Sequence, residues 1–257
     1  MDATALAMIN LHTMMHVQAS PSFRPLYEQI KILLTQSLIA GEWRPGESIP
    51  SEIELAGRFR VSQGTVRKAV DELAAEHILV RRQGKGTFVA THAEPQVRHR
   101  FLRVIADSGE REPVESRLVE CKRGKAPAVA GKALGLKTGA AIFTIKRLLV
   151  FSGQPMIFDE ITLPEAMFKG LSPERLTSYK NSYYSLYESQ YGVRMIRAEE
   201  RLKAVVADPK AAQLLEIDLG APLLCVDRIA YTYGDRPVEW RRGYCNTDTH
   251  CYVNELT

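Results

Sequence analysis

Residues 81–89 read RRQGKGTFV: two arginines, a Gly-Lys-Gly turn, then a threonine and an aromatic in an apolar run. Cationic side chains beside glycines suit phosphate, either the phosphates of a nucleotide inside an enzyme or those of a nucleic-acid backbone. Spacing separates the two. A Walker A loop needs GxxxxGK followed by Ser or Thr, and these glycines stand only two residues apart. The dinucleotide pattern GxGxxG fails as well, because Val89 occupies the third glycine's place and a strand follows rather than a helix. Residues Ile78–Arg82 and Thr87–Ala90 read instead as two strands around Gln83, Gly84, Lys85 and Gly86. From Arg58 to Phe88 there are seven Lys or Arg against three Asp or Glu. The stretch reads as a hairpin tip, with Arg81, Arg82, Gln83, Gly84 and Lys85 directed at DNA phosphates.

The elements in front of it must aim that hairpin. Leu26, Ile30, Leu33, Leu34 and Leu38 recur at helical spacing and predict a helix that Gly41 ends. Ser51 opens a second helix with Glu54 three residues on, the spacing of a capping box. After Arg60 and Val61 alone, Ser62 caps a third helix, with Val61 and Val66 as a hydrophobic staple. Val66, Ala69, Val70 and Leu73 give that helix one apolar face, while Gln63, Gly64, Thr65, Arg67 and Lys68 crowd polar groups into its first turns. Two helices joined by a tight turn, the second with a basic N-terminal end, describe a helix-turn-helix. Such an end brings free N–H groups and partial positive charge to phosphates while its side chains reach base edges. Periodicity alone leaves a solvated surface helix open; a hairpin directly after it makes a wing.

The chain has 257 residues, 45% apolar and 25% charged, with a net charge of +4, which permits a polyanionic partner without requiring one. Cys121, Cys225, Cys245 and Cys251 form no CxxC pair and read as free intracellular thiols. Residues 1–22 carry no Lys or Arg and read as a disordered leader rather than a secretory signal. No stretch approaches the roughly 18–20 apolar residues of a membrane span, so the expected location is the cytoplasm and no membrane partner is expected. Polar residues 91–100, THAEPQVRHR, break the pattern and read as a linker between a winged helix at 23–90 and a second domain at 101–257.

In that second domain, AIFTIKRLLV, PMIFDEITL, PLLCVDRIAYTY and PVEWRRGY alternate as antiparallel strands with one buried face. It holds no GxSxG, no HExxH and no spaced Cys–His pair, so neither catalytic residues nor a metal or cofactor is expected. A binding pocket needs only a few convergent polar groups.

With these residues in place, the first domain resembles the GntR family of winged-helix transcription regulators, on the framework PGESIPSEIELA, VS, TVRKAVDEL and RRQGKGTFV. The resemblance implies DNA contact at Ser51, Ser62, Thr65, Arg67, Gln83 and Gly84. Two departures stand out: Ile53 and Gln63 occupy positions where many relatives carry arginine. The second domain resembles the UTRA ligand-sensing domain of the HutC branch, on KALGLKTGAAIFTIKRLLVFSGQPMIFDEITLP, SYYSLYESQYGV and LLCVDRIAYTYGDRPVEWRRGY. That implies a chorismate-lyase-like fold, and hence an α+β protein with an antiparallel sheet and flanking helices around a pocket. It also implies an acidic effector gripped by Arg147, with Ser182 binding phosphate or carboxylate and Glu160, Glu239 and Tyr244 lining the same pocket. Each has a plainer reading: Arg147 and Arg228 as sheet-surface arginines paired with Glu160 or Glu239, and Ser182 as a helix cap. Where phosphosugar-binding relatives often show Arg-x-Arg, Arg147 is followed by Leu148 and Leu149, which favours a monoanionic or zwitterionic ligand. The expectation is a homodimeric repressor on a pseudo-palindromic double-stranded operator, released by a small metabolite. The alternatives are an activator of the same architecture or an enzyme on a chorismate-lyase-like domain.

Overall fold

The computed structural model describes residues 24–94 and 101–254, so the leader and residues 95–100 of the expected linker lie outside the described residues. Helix α1 spans Leu26–Ile39 and buries Ile30, Leu34 and Leu38. Leu26 and Leu33, expected on the same face, stay largely exposed. Helix α2 spans Glu52–Phe59, and Ser51 closes the full capping box with Glu54. Helix α3, Gln63–Ala75, is capped by Ser62 and buries Val66, Ala69, Val70 and Leu73. These faces, with Trp43, Ile49, Ile78, Leu79 and Val89, form one apolar core.

Strands β1, Leu79–Arg82, and β2, Gly86–Val89, pair antiparallel with Arg82 opposite Gly86. The turn between them needs Gly84 at φ 69°, a left-handed conformation that glycine adopts without steric cost. Residues 46–49 lie along β2 as a third chain: Gly46 N–H donates to the Val89 carbonyl and Ile49 N–H to that of Thr87. The wing is thereby anchored to the turn that leads into α2.

The rest of the chain forms β3 (Val104–Ala106), β4 (Val114–Lys125), α4 (Ala128–Leu134), β5 (Ala141–Phe151), β6 (Gln154–Pro164), α5 (Pro173–Ser178), α6 (Tyr183–Tyr191), β7 (Arg197–Val206), α7 (Pro209–Leu215), β8 (Pro222–Thr232), β9 (Arg236–Asn246) and β10 (His250–Tyr252). Six strands make one antiparallel sheet in the order β4-β5-β6-β9-β8-β7, and β3 pairs with β10. Because side chains alternate across a strand, the register decides which residues share a face. Arg147 sits opposite Asp159, and Asp159 opposite Gly243, while Lys146 sits opposite Glu160 and Phe158 opposite Tyr244. The Arg147 face packs Ile145, Ile161 and Leu163 under α5 and α6. The opposite face packs Leu148, Val150 and Phe158 under α7.

The two halves touch. His92, in the stretch expected to be linker, is 2% exposed, and its Nε2 lies 2.9 Å from the Met195 carbonyl oxygen. Ile196 and Tyr233, from the sheet half, join the winged-helix core.

Candidate nucleic-acid interface and effector cleft

On the winged helix, Ser62 Oγ accepts from Thr65 N–H at 3.2 Å and lies 2.8 Å from Thr65 Oγ1, so both hydroxyls stand at the first turn of α3. Gln63, Gly64, Arg67 and Lys68 are exposed beside them. Ser51 is exposed at the start of α2, its hydroxyl donating to Glu54 Oε2 at 2.7 Å. At the wing, Arg81, Gln83, Gly84 and Lys85 are exposed, while half-buried Arg82 pairs with Glu94 and lies over the Phe88 ring at 4.4 Å. Among the described residues Lys85 makes no ion pair.

Glu52 ties these parts together. Its Oε2 accepts from Arg67 Nε at 2.9 Å and lies 3.4 Å from Gln63 Nε2, and its Oε1 accepts from Arg81 Nη2 at 2.9 Å. Asp71 accepts from the same Arg81 nitrogen at 2.6 Å. Partial burial works against the Glu52 charge, but Arg67 and Arg81 outweigh it and hold its pKa below the usual carboxylate range. One carboxylate thus fixes the front of α3 against the first wing strand.

On the sheet, a cleft of about 1140 Å³ opens between α6, β4 and the Arg147 face. Arg147, Arg228 and Arg241 line it, with Ser116, Ser182, Tyr183 and Tyr184. Behind the arginines lie acids. Asp159 accepts from Arg147 Nε at 2.9 Å and Arg241 Nη1 at 3.3 Å, Glu239 from Arg241 Nε at 3.0 Å, and Glu200 from Arg228 Nε at 2.5 Å. Tyr184 donates to Glu239 at 2.8 Å, and burial raises its pKa to about 12, so it stays a neutral donor. Burial opposes the Arg241 charge, yet Glu239, Tyr184 and Asp159 hold its pKa well above the ordinary value. Ser182 caps α6 by accepting from Ser185 N–H at 3.2 Å.

Residues 110–250 match the UTRA domain, and residues 26–89 match the bacterial regulatory proteins of the gntR family. The chain belongs to the GntR family. It carries the winged helix and the UTRA effector-binding domain of a ligand-responsive transcriptional regulator of the HutC type. It is 26% identical, over 88% of its length and 93% of the relative's, to an Escherichia coli protein named "Probable fructoselysine utilization operon transcriptional repressor". It is 31% identical to an HTH-type transcriptional regulator of Mycobacterium tuberculosis, over 84% of this chain and 80% of that one. The ligand-binding domain assigned to a GntR-family regulator of Bordetella bronchiseptica superposes with a TM-score of 0.59 at 47% identity, covering 61% of this chain and 98% of that domain.

In this GntR-family chain the five residues expected to share one pocket do not all meet. Arg147 and Ser182 line the cleft. Glu239, fully buried, stands one layer behind it, holding Arg241 and Tyr184. Glu160 and Tyr244 project from the opposite face, a correction that the sheet register imposes. Glu160 accepts from Lys210 at 2.6 Å there, and Tyr244 stacks on Phe158 with ring centroids 5.9 Å apart. The reading of Arg147 followed by two leucines missed a compensation. Leu149 takes the second arginine's place on the cleft face, but Arg241 and Arg228 arrive there from β9 and β8, on the far side of β6. The signal was present as alternation in PVEWRRGY, where Glu239 and Arg241 share a face and Tyr244 does not.

Proposed function

We propose that this protein is a cytoplasmic, homodimeric repressor that binds a pseudo-palindromic operator and lets go when a small acidic or zwitterionic metabolite fills the cleft. The observation that carries the reading is a cleft faced by three guanidinium groups whose charges are balanced by Asp159, Glu200 and Glu239 behind them. Among the described residues Arg147 Nη1 reaches only Ser116 Oγ, at 3.5 Å, so it is placed to meet an incoming carboxylate or single phosphate oxygen. A doubly charged ligand would enter a cluster with no net surplus of positive charge. Glu115 at the rim offers an ammonium group a partner, which suits a zwitterion. No histidine lines the cleft among the described residues, and burial raises the pKa of its Cys121 thiol, away from the reactive thiolate. Both observations support binding without turnover. Among the described residues no helix is long and apolar enough to cross a membrane.

The test uses DNA selected by the protein from a random pool, then challenged with monocarboxylates, amino acids, sugar–amine conjugates and sugar phosphates. A member of the first three groups should release the DNA. Arg147→Ala should bind the same DNA within about twofold, yet lose the roughly 5–150-fold shift typical of allosteric coupling. Release of the Arg147→Ala protein at wild-type ligand concentrations would reject the cleft assignment.

For the DNA side, we propose that Ser51, Ser62, Gln63, Gly64, Thr65, Arg67, Lys68 and the wing residues Arg81–Lys85 make the contacts. Gln63 offers one donor and one acceptor, which suits N7 and N6 of adenine, whereas arginine there would suit guanine O6 and N7. Its 3.4 Å contact to Glu52 is long enough for a base to replace. Selection with Gln63→Arg should change one position of each half-site from adenine to guanine, with a mismatch penalty of about 1–3 kcal/mol. Identical half-sites from both proteins would mean that Gln63 does not read sequence.

A further inference from the structure

Arg194 is 4% exposed, and its guanidinium serves the other half of the molecule. Nη2 donates to the His77 carbonyl at 2.9 Å and Nη1 to the Ile78 carbonyl at 3.1 Å. Those carbonyls belong to the turn that ends α3, where His77 takes a left-handed φ of 56°. His77 and Ile78 follow the C-cap Glu76, just beyond the negative end of the α3 dipole, where a cation is favoured, and the Ile78 carbonyl also accepts from Ala90 N–H at 3.1 Å. Burying the charge is costly, and the nearest carboxylate, Glu188, stands 3.7 Å from Nε, too far for a hydrogen bond. Glu188 is engaged across the same junction: it accepts from Thr91 Oγ1 and, at 3.1 Å, from His92 N–H. Burial raises its pKa, opposed by those two donors.

All these anchors lie on one stretch of chain that begins at the cleft. Ser182 and Tyr184 line the cleft at the start of α6, Glu188 stands one turn further on, and residues 193–196 follow after the Gly192 cap. The Tyr184 ring lies edge-on to His92, with centroids 5.6 Å apart, while its hydroxyl donates to Glu239. The Tyr184 ring, with Phe101 packed edge-on against it at 5.2 Å, therefore stands between the cleft and His92 at the domain junction.

We infer that Arg194 is a positioning residue that holds the recognition helix α3 at an angle set by the cleft, through Tyr184 and Glu188 on α6. The inference rests on the reading of the protein as a dimer with two reading heads. Two heads must meet successive major grooves at a fixed spacing, so head orientation matters for a palindrome and not for one half-site. A ligand that shifts Tyr184 changes that orientation, and with it the population able to span both half-sites.

The experiment compares a palindromic duplex, selected by the wild type from random DNA, with a duplex holding one half-site. Arg194→Ala should lose at least about fivefold affinity for the palindrome, the lower end of typical coupling, and none for the half-site. Arg194→Lys keeps the charge but replaces the two forked nitrogens with one, so it should show the same selective loss to a smaller degree. Tyr184→Phe, which removes the hydroxyl that donates to Glu239 but keeps the ring, should also weaken the palindrome alone. Combined with Arg194→Ala it should be no worse than Arg194→Ala by itself. Unchanged palindrome affinity in Arg194→Ala overturns the proposal, and so does equal loss on both duplexes, which would mark a damaged fold. Multiplying losses in the double variant overturn the link to the cleft. A wild type that selects only single half-sites overturns the two-headed reading and this inference with it.

Discussion

Replacing Glu239 with alanine will unfold the effector-sensing half roughly 10 °C earlier than wild type, an expected loss of about 3–5 kcal/mol. Glu239 has no exposed surface and accepts from Tyr184 and from two nitrogens of Arg241. Without it, the Arg241 guanidinium remains buried with only Asp159, already shared with Arg147, as a counter-charge. The penalty comes from the stranded cation, more than from the bonds removed. Glu239→Gln keeps acceptor and shape while losing charge, so it should fall between the two. Thermal unfolding followed by a probe in the sheet half separates this loss from any change in the winged helix. A Glu239→Ala protein that melts within about 2 °C of wild type, under ~1 kcal/mol, would show that Asp159 alone satisfies the cluster.

The winged helix was legible in the sequence because its signals are local. Ser51 with Glu54, and Ser62 with Thr65, close within one helical turn, and the wing turn needs only Gly84 and Gly86. Strand alternation was equally local and predicted β5, β6, β8 and β9, though not the edge strands β4 and β7. What alternation does not reveal is which strands stand side by side, since β6 pairs with β9 across some 80 residues of chain. That pairing brings Arg241 to Asp159 and Arg147 and leaves Glu160 and Tyr244 on the far face. Arg194 gave no signal at all. It follows α6 in an unpatterned stretch, and besides the Tyr233 hydroxyl at 3.3 Å its hydrogen-bond partners are main-chain carbonyls, which exist at every position whatever the residue type.

Affinity for duplex DNA should fall steeply with salt, because each neutralised phosphate releases condensed counterions and contributes about −0.9 to the slope of log K against log salt. Not every cation on the proposed DNA-contacting surface should contribute equally. Arg67 and Arg81 are already paired with Glu52, Arg81 with Asp71 as well, and Arg82 with Glu94. Lys85, outside those pairs at the wing tip, should count in full, so Lys85→Ala should flatten the slope by roughly one unit per chain and weaken all sequences alike. Glu52→Gln should act in the opposite direction. The amide preserves size and an acceptor for Arg67, but removes the charge that competes with phosphate for both arginines. Arg67 then becomes available while Asp71 still holds Arg81, so the slope should steepen by about one unit per chain. Binding to arbitrary sequence should tighten roughly tenfold at low salt, and discrimination of selected from arbitrary DNA should shrink, since phosphate contacts carry no sequence information. Titrations over a range of salt with a duplex short enough for one chain measure both slopes directly. If Glu52→Gln leaves slope and discrimination at wild-type values, the Glu52 pairs persist on DNA as a permanent brace. If Lys85→Ala leaves the slope unchanged, the wing does not touch phosphate.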